Sequence, residues 1–235
     1  MTIELRRRLL ALATVMFLLS ACSINPLKGG SESKASNPSG NSSSKGSAFS
    51  PSSDASKDVR EAIAKLNTAY PYRLTETVSA SSNSQTAMPD GTRVVEFAAA
   101  DRSHMKWTGG PGGNIEAISI GDKHYWFSNG KWTGGTMPSM LGYRGEDFAN
   151  KLAEMVKEVK YVGPETVNGM SCYAYTGTFE TMMAGQKWSG TAKVWIGADD
   201  GLIHQSDSDF NTANYGSKSH TVYEYNVNIK IEPPI

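Results

Sequence analysis

Cysteine is nearly absent from this chain: there are two in 235 residues, Cys22 and Cys172. No C-x-x-C, H-E-x-x-H, G-x-S-x-G or phosphate-binding G-x-x-x-x-G-K-[ST] pattern occurs. The motif-bearing redox, zinc-protease, hydrolase and nucleotide-hydrolysing classes are therefore set aside. Gly109-Gly110-Pro111-Gly112-Gly113 has the glycines of a phosphate cradle but not the Lys-Ser/Thr and helix start that must follow, so it is a hairpin loop. The four histidines, His104, His124, His204 and His220, lack the close ligand pair that zinc sites show, and no metal or other cofactor is expected. An excess of either charge is missing too, with 23 basic and 23 acidic residues, and nucleic acid is not an expected partner. Finally, no apolar run approaches the roughly 20 residues that a membrane-spanning helix needs.

The longest apolar run lies at the N-terminus, from Leu9 to Leu19, behind the cationic block Arg6-Arg7-Arg8. A short apolar core after a positive segment is the pattern of a signal peptide. An ordinary secretory site has small residues at −1 and −3, but Leu19 would occupy −3 here. Leu19-Ser20-Ala21-Cys22 instead resembles the lipobox of bacterial lipoprotein precursors, in which the cysteine is acylated and becomes the new N-terminus. The alternative is an ordinary signal peptide with an incidental cysteine. The resemblance implies cleavage after residue 21 and anchoring through palmitate-type chains on Cys22. A single chain holds a protein only marginally, whereas two or three make a stable tether. The expected location is the extracytoplasmic side of the envelope: the outer membrane, facing the periplasm, or the outer face of the cytoplasmic membrane. Loss of residues 1–21 removes three Arg and one Glu, leaving 20 basic and 22 acidic residues.

From Ser23 to Ser56 the chain is dominated by Ser, Gly, Asn, Pro and Lys. Such a segment cannot bury enough apolar surface to offset its ordering entropy and is expected to be a disordered linker over 22–56. Phe49 alone offers a means of packing part of it on the domain. Residues 57–235 then fit one compact domain. With Cys22 acylated, Cys172 has no partner for an intramolecular disulfide, and its apolar setting suits a small buried hydrophobe.

Within that domain Ser56 is placed to cap a helix from Lys57 to Asn67, with Val59, Ile63 and Leu66 at helical spacing. Strands are expected over Tyr72 to Ala80, Thr92 to Ala99, Arg102 to Trp107, Ile115 to Ile120 and Lys123 to Ser128, with Asn129-Gly130 as a tight hairpin turn. A second helix is expected from Gly145 to Lys157, its stripe formed by Phe148, Leu152, Met155, Val156 and Val159. Strands resume over Val159 to Glu165, Met170 to Phe179, Gly190 to Ile196 and Leu202 to Phe210, with turns at Asn168-Gly169 and Asp199-Asp200-Gly201. A last strand is expected where Tyr223, Tyr225, Val227, Ile229 and Ile231 alternate with polar residues. Two amphipathic helices among antiparallel strands make an α+β domain with a strongly curved sheet.

Residues 161–173, YVGPETVNGMSCY, resemble a hairpin of the LolA/LolB-like carriers and related mycobacterial glycolipid-carrying lipoproteins. Val194-Trp195-Ile196-Gly197 through Gly201-Leu202-Ile203 resembles their next strand-turn-strand, with Gly197 where that pattern usually has Asp. Ile118 to Tyr125 with Gly130-Lys131-Trp132 fits their earlier hairpins. The resemblance implies an open half-barrel whose concave apolar face is covered by helices and accepts acyl chains.

On that reading the chain is a non-enzymatic, monomeric lipoprotein holding a lipid, or the acyl chains of a lipoprotein, in a hydrophobic cavity. Met105, Trp107, Tyr125, Phe127, Tyr223, Tyr225 and Val227 are the candidate lining. They could equally be a filled core, since apolar strand faces are normally core. In that case the scaffold is an envelope interaction module for another protein. A hydrolase with an unrecognised site is a third reading.

Overall fold

The computed structural model describes residues 48–80, 90–109, 114–128, 130–135, 153–183, 186–211 and 216–235. The lipobox, Cys22, most of the tether and residues 136–152, which hold most of the expected second helix, lie outside them. None of the helices among the described residues is long and apolar enough to cross a membrane.

One helix, α1 (Ala55–Lys65), precedes eleven strands. These are β1 (Tyr72–Ala80), β2 (Gly91–Ala99), β3 (Arg102–Thr108), β4 (Ile115–Ile120), β5 (Lys123–Ser128), β6 (Lys131–Gly135), β7 (Val156–Val167), β8 (Met170–Met183), β9 (Gln186–Gly197), β10 (Ile203–Asn211) and β11 (Gly216–Tyr225). All pair antiparallel in a single unclosed, curved sheet of order β6-β5-β4-β3-β2-β1-β11-β10-β9-β8-β7. Every adjacent pair in the sheet is also consecutive in sequence except at the centre, where β1 joins β11, while the consecutive β6 and β7 form the two edges. Chain neighbours therefore close most of the sheet through local hairpins. The Asn168-Gly169 turn shows why: φ is 50° and 81° at its two residues. Both are left-handed, as the tight turn matched to strand twist requires.

α1 begins earlier than the capping pattern suggested. Asp54, not Ser56, caps it, its carboxylate accepting the Lys57 amide at 3.0 Å. A carboxylate there also meets the positive end of the helix dipole. The folded chain reaches back further still, into the expected linker. The Phe49 amide donates to the Ala198 carbonyl at 2.7 Å, and its ring lies 5.9 Å from that of Tyr173. The apolar stripe of α1 is Val59, Ala62 and Ile63, continued by Leu66 at its C-cap, all at most 2% exposed. It packs with Tyr72, Leu74, Val95, Phe97, Met105, Tyr175, Ile196 and Ile203 from one face of the sheet.

Two expectations fail at element ends. The second helix was to run through Lys157, yet only residues 153–155 are helical among those described, and β7 starts at Val156. Pairing with β8, Val156 opposite Phe179, takes over from the helical spacing. The last strand also stops early. Asn226 adopts φ 58° and its amide bonds the Pro71 carbonyl, which turns the chain out of the ladder. Residues 227–235 continue without strand pairing, and Ile229 and Ile231 join Ile118, Tyr125 and Trp132 in a separate cluster.

Candidate functional site

Strand register sorts every side chain to one of two faces. Along β1 the helix-bearing face takes Tyr72, Leu74, Glu76 and Val78, which stand opposite Phe97, Val95, Arg93 and Gly91 on β2. The same row positions continue to Ser103, Met105 and Trp107 on β3 and to Ser119, Ala117 and Ile115 on β4. In the other direction they continue to Tyr225, Tyr223, Thr221 and Ser219 on β11.

A cavity of about 210 Å³ lies between α1 and this face. Val59 and Ile63 line it from the helix, and Leu74, Val156, Val159 and Val194 from the chain around it. It is smaller than the roughly 300–1,000 Å³ usual for small-molecule sites. Its wall is not uniformly apolar: Glu76 and Arg93, an ion pair with side chains 13% and 11% exposed, line it too. So do Ser206, Ser208, Ser219 and Thr221, and the Ser208 and Ser219 hydroxyls are 2.7 Å apart. Tyr175, another lining residue, donates its hydroxyl to buried Asp58 on α1 at 2.9 Å, and that carboxylate also accepts the Ser52 amide at 2.9 Å. Burial, reinforced by the Asp58 carboxylate, pushes the Tyr175 phenol well above its ordinary range.

The seven sequence candidates separate. Tyr223 lines the cavity. Met105 and Tyr225 are on the same face, in or against the core, and the Tyr225 hydroxyl bonds the Ile203 carbonyl at 2.6 Å. Trp107 shares that face but lies over Gly91, with its indole N–H donating to the Gly109 carbonyl at 2.8 Å. Tyr125 and Phe127 do not belong with these four. Tyr125 stands opposite Ile118, and Phe127 opposite Glu116 and Trp132, all on the other face of the sheet. One residue of register reverses the face, and Trp126 holds the helix-side position of β5 opposite Ala117. Val227 falls beyond the end of β11.

Sequence reasoning passed over Glu76 and Arg93, although a signal was present. Each interrupts an apolar alternation, Tyr72-Leu74-Glu76-Val78 in one strand and Arg93-Val95-Phe97 in the next. A charge at an inward position is costly unless paired, and two such interruptions on consecutive strands suggest each other as partners.

The opposite face carries no helix among the described residues. A charged ladder crosses it: Glu224, Arg73, Glu96, His104 and Glu116, with Arg73 bonded to Glu96 at 2.7 Å and His104 to Glu116 at 2.7 Å. Further along, Glu165 accepts from Lys193 at 2.8 Å and from the Trp195 indole at 2.7 Å. These two donors hold its carboxyl below the ordinary range. Cys172 is buried beside Val167, Ala174 and Trp195, and desolvation followed by the nearby Asp200 charge raises its thiol. The histidines are dispersed. His104 and His220 are on the opposite face, His124 meets the Ser119 hydroxyl at 2.9 Å, and His204 meets Asp200 at 3.0 Å.

Gly197 sits in a crowded place. A Cβ there would meet the Asp200 carboxylate and lie 2.8 Å from the His204 ring.

No family model and no curated protein matches this chain. Solved structures do. The Mycobacterium tuberculosis lipoprotein LppX is 13% identical, with 75% of this chain and 97% of that one covered at a TM-score of 0.51. LprF from Mycobacterium bovis is 12% identical, with 79% and 99% covered at 0.53. A LolA superfamily protein from Nitrosomonas europaea is 9% identical, with 76% and 96% covered at 0.35. At such identities the likeness is one of fold: this chain shares the fold of LppX and LprF, the mycobacterial lipoproteins among the proteins to which the hairpin motifs pointed.

Proposed function

We propose that this protein is a lipoprotein, acylated at Cys22 and tethered on the extracytoplasmic side of a bacterial envelope, that binds a lipid or acylated ligand in the cavity beneath α1 without chemically changing it. The cavity carries the proposal. Its apolar wall of Val59, Ile63, Leu74, Val156, Val159 and Val194 would remove an acyl chain from water. Each methylene buried there contributes about 0.8 kcal/mol. At about 210 Å³ the space suits one chain rather than several. The fold shared with LppX supports the same reading.

The test is native mass spectrometry of the chain from residue 22 onward, carrying Cys22→Ser and purified without detergent, together with organic extraction of its cargo. A stoichiometric lipid-sized adduct is the expected result. A clean apo mass, with no uptake of a fluorescent acyl chain as either acid or ester, would overturn it.

A second reading, an envelope protein-interaction module, draws on the edge hairpin β7–β8. There Tyr161, Val162 and Met170 are 42%, 53% and 38% exposed. Exposed large apolar groups, together with the unpaired edge of β7, favour contact with another chain. A ligand-free protein would favour that reading.

A further inference from the structure

The polar groups in the cavity wall are not scattered. Arg93 on β2, Glu76 on β1, Thr221 on β11 and Ser206 on β10 stand directly opposite one another, so one row crosses four strands. The next row adds Ser219 and Ser208. Trp107 stands opposite Arg93 at one end of the first row, and Val194 stands opposite Ser206 at the other. A polar stripe thus crosses the wall of the cavity that Val59 and Ile63 of α1 also line. Packing does not account for it, because a buried ion pair is often no better for stability than apolar residues of the same volume.

Resting on the cavity as the ligand site, we infer that this stripe binds the polar group of the ligand against the sheet, and that the Glu76–Arg93 pair selects an uncharged, hydroxyl-bearing group over a carboxylate or phosphate. The chemistry is that of complementarity. Arg93 offers only donors, Glu76 only acceptors, and the four hydroxyls offer both. A ligand hydroxyl also donates and accepts, so it satisfies either partner without disturbing the pair. A ligand carboxylate only accepts. Placed at Arg93 it would lie beside the Glu76 charge, where little water screens the repulsion. The pair is neutral as a unit, and so is the ligand group that fits it.

The experiment compares a monoacylglycerol with the free fatty acid of the same chain, at a pH where the acid is ionised, by displacement of a fluorescent acyl ester from the chain starting at residue 22. The glycerol ester should compete at least about tenfold better, the factor a modest like-charge repulsion gives. Glu76→Gln removes the repelling charge but keeps the shape, and the acid should then bind within about threefold of the ester. Thr221→Val, a milder change, should weaken the ester and leave the acid unchanged. Equal or tighter binding of the acid to the native chain overturns the selectivity, as does an unaltered preference in both variants. Displacement by neither compound overturns the cavity as ligand site instead.

Discussion

The Tyr175 hydroxyl donates to Asp58 across 2.9 Å, joining β8, the longest strand of the sheet, to α1. Asp58 is 3% exposed, and its other bond comes from the Ser52 amide. The carboxylate therefore draws on the sheet and on the segment leading in from the tether.

Tyr175→Phe should cost about 1–3 kcal/mol, the range for leaving a buried group short of a hydrogen bond. Urea unfolding monitored by circular dichroism measures it. A change within error would mean that water replaces the phenol at Asp58.

Alkaline pH should weaken the fold more than its surface charge implies. Burial raises the phenols of Tyr72, Tyr175 and Tyr225 well above their ordinary value. A group raised in the folded state contributes in full below its unfolded pKa of about 10 and loses that contribution as pH rises towards the folded value. Melting temperatures should therefore fall progressively above about pH 10, and Tyr225→Phe should make the fall shallower. A flat profile in both proteins would contradict this.

The domain should need its first nine described residues. Phe49 packs on Tyr173, Ser52 bonds Asp58, and Asp54 caps α1. A chain beginning at Lys57 should be about 3 kcal/mol less stable than one beginning at residue 48, combining a lost cap with a lost aromatic contact. Denaturant titration of the two chains decides it, and equal midpoints would make these residues part of the tether after all.

Glu165 should titrate below the ordinary carboxylate range, because Lys193 and the Trp195 indole bond its charged form. The sign follows: a lowered folded pKa contributes stability above the unfolded value and loses it as pH falls through the folded one. Carboxyl chemical shifts across an acid titration would show it. Lys193→Met should move the midpoint upward, and an unmoved midpoint would place the cause elsewhere.

Much of the local architecture was legible without coordinates. Tyr72 to Ala80, Ile115 to Ile120 and Lys123 to Ser128 are strands with the expected limits, since period-two patterning and the flanking turns report on the same residues that pair. The last strand was not legible to its end. Tyr223, Tyr225, Val227, Ile229 and Ile231 share one period, yet the first two belong with the α1-side core and the final two with the cluster on the other face. Alternation records an extended chain with one side covered; it does not record what covers it, or whether a neighbouring strand is bonded alongside.

The sequence by itself determined most of the strands, their turns and the amphipathic stripe of α1, because each follows from local spacing and turn chemistry. Tertiary structure alone decided that β1 pairs with β11, that Tyr125 faces away from Met105, and that Glu76, Arg93, Thr221 and Ser206 form one row. Those facts depend on register between strands far apart in the chain. Register is set by which faces bury together, a balance over the whole sheet that no local window contains.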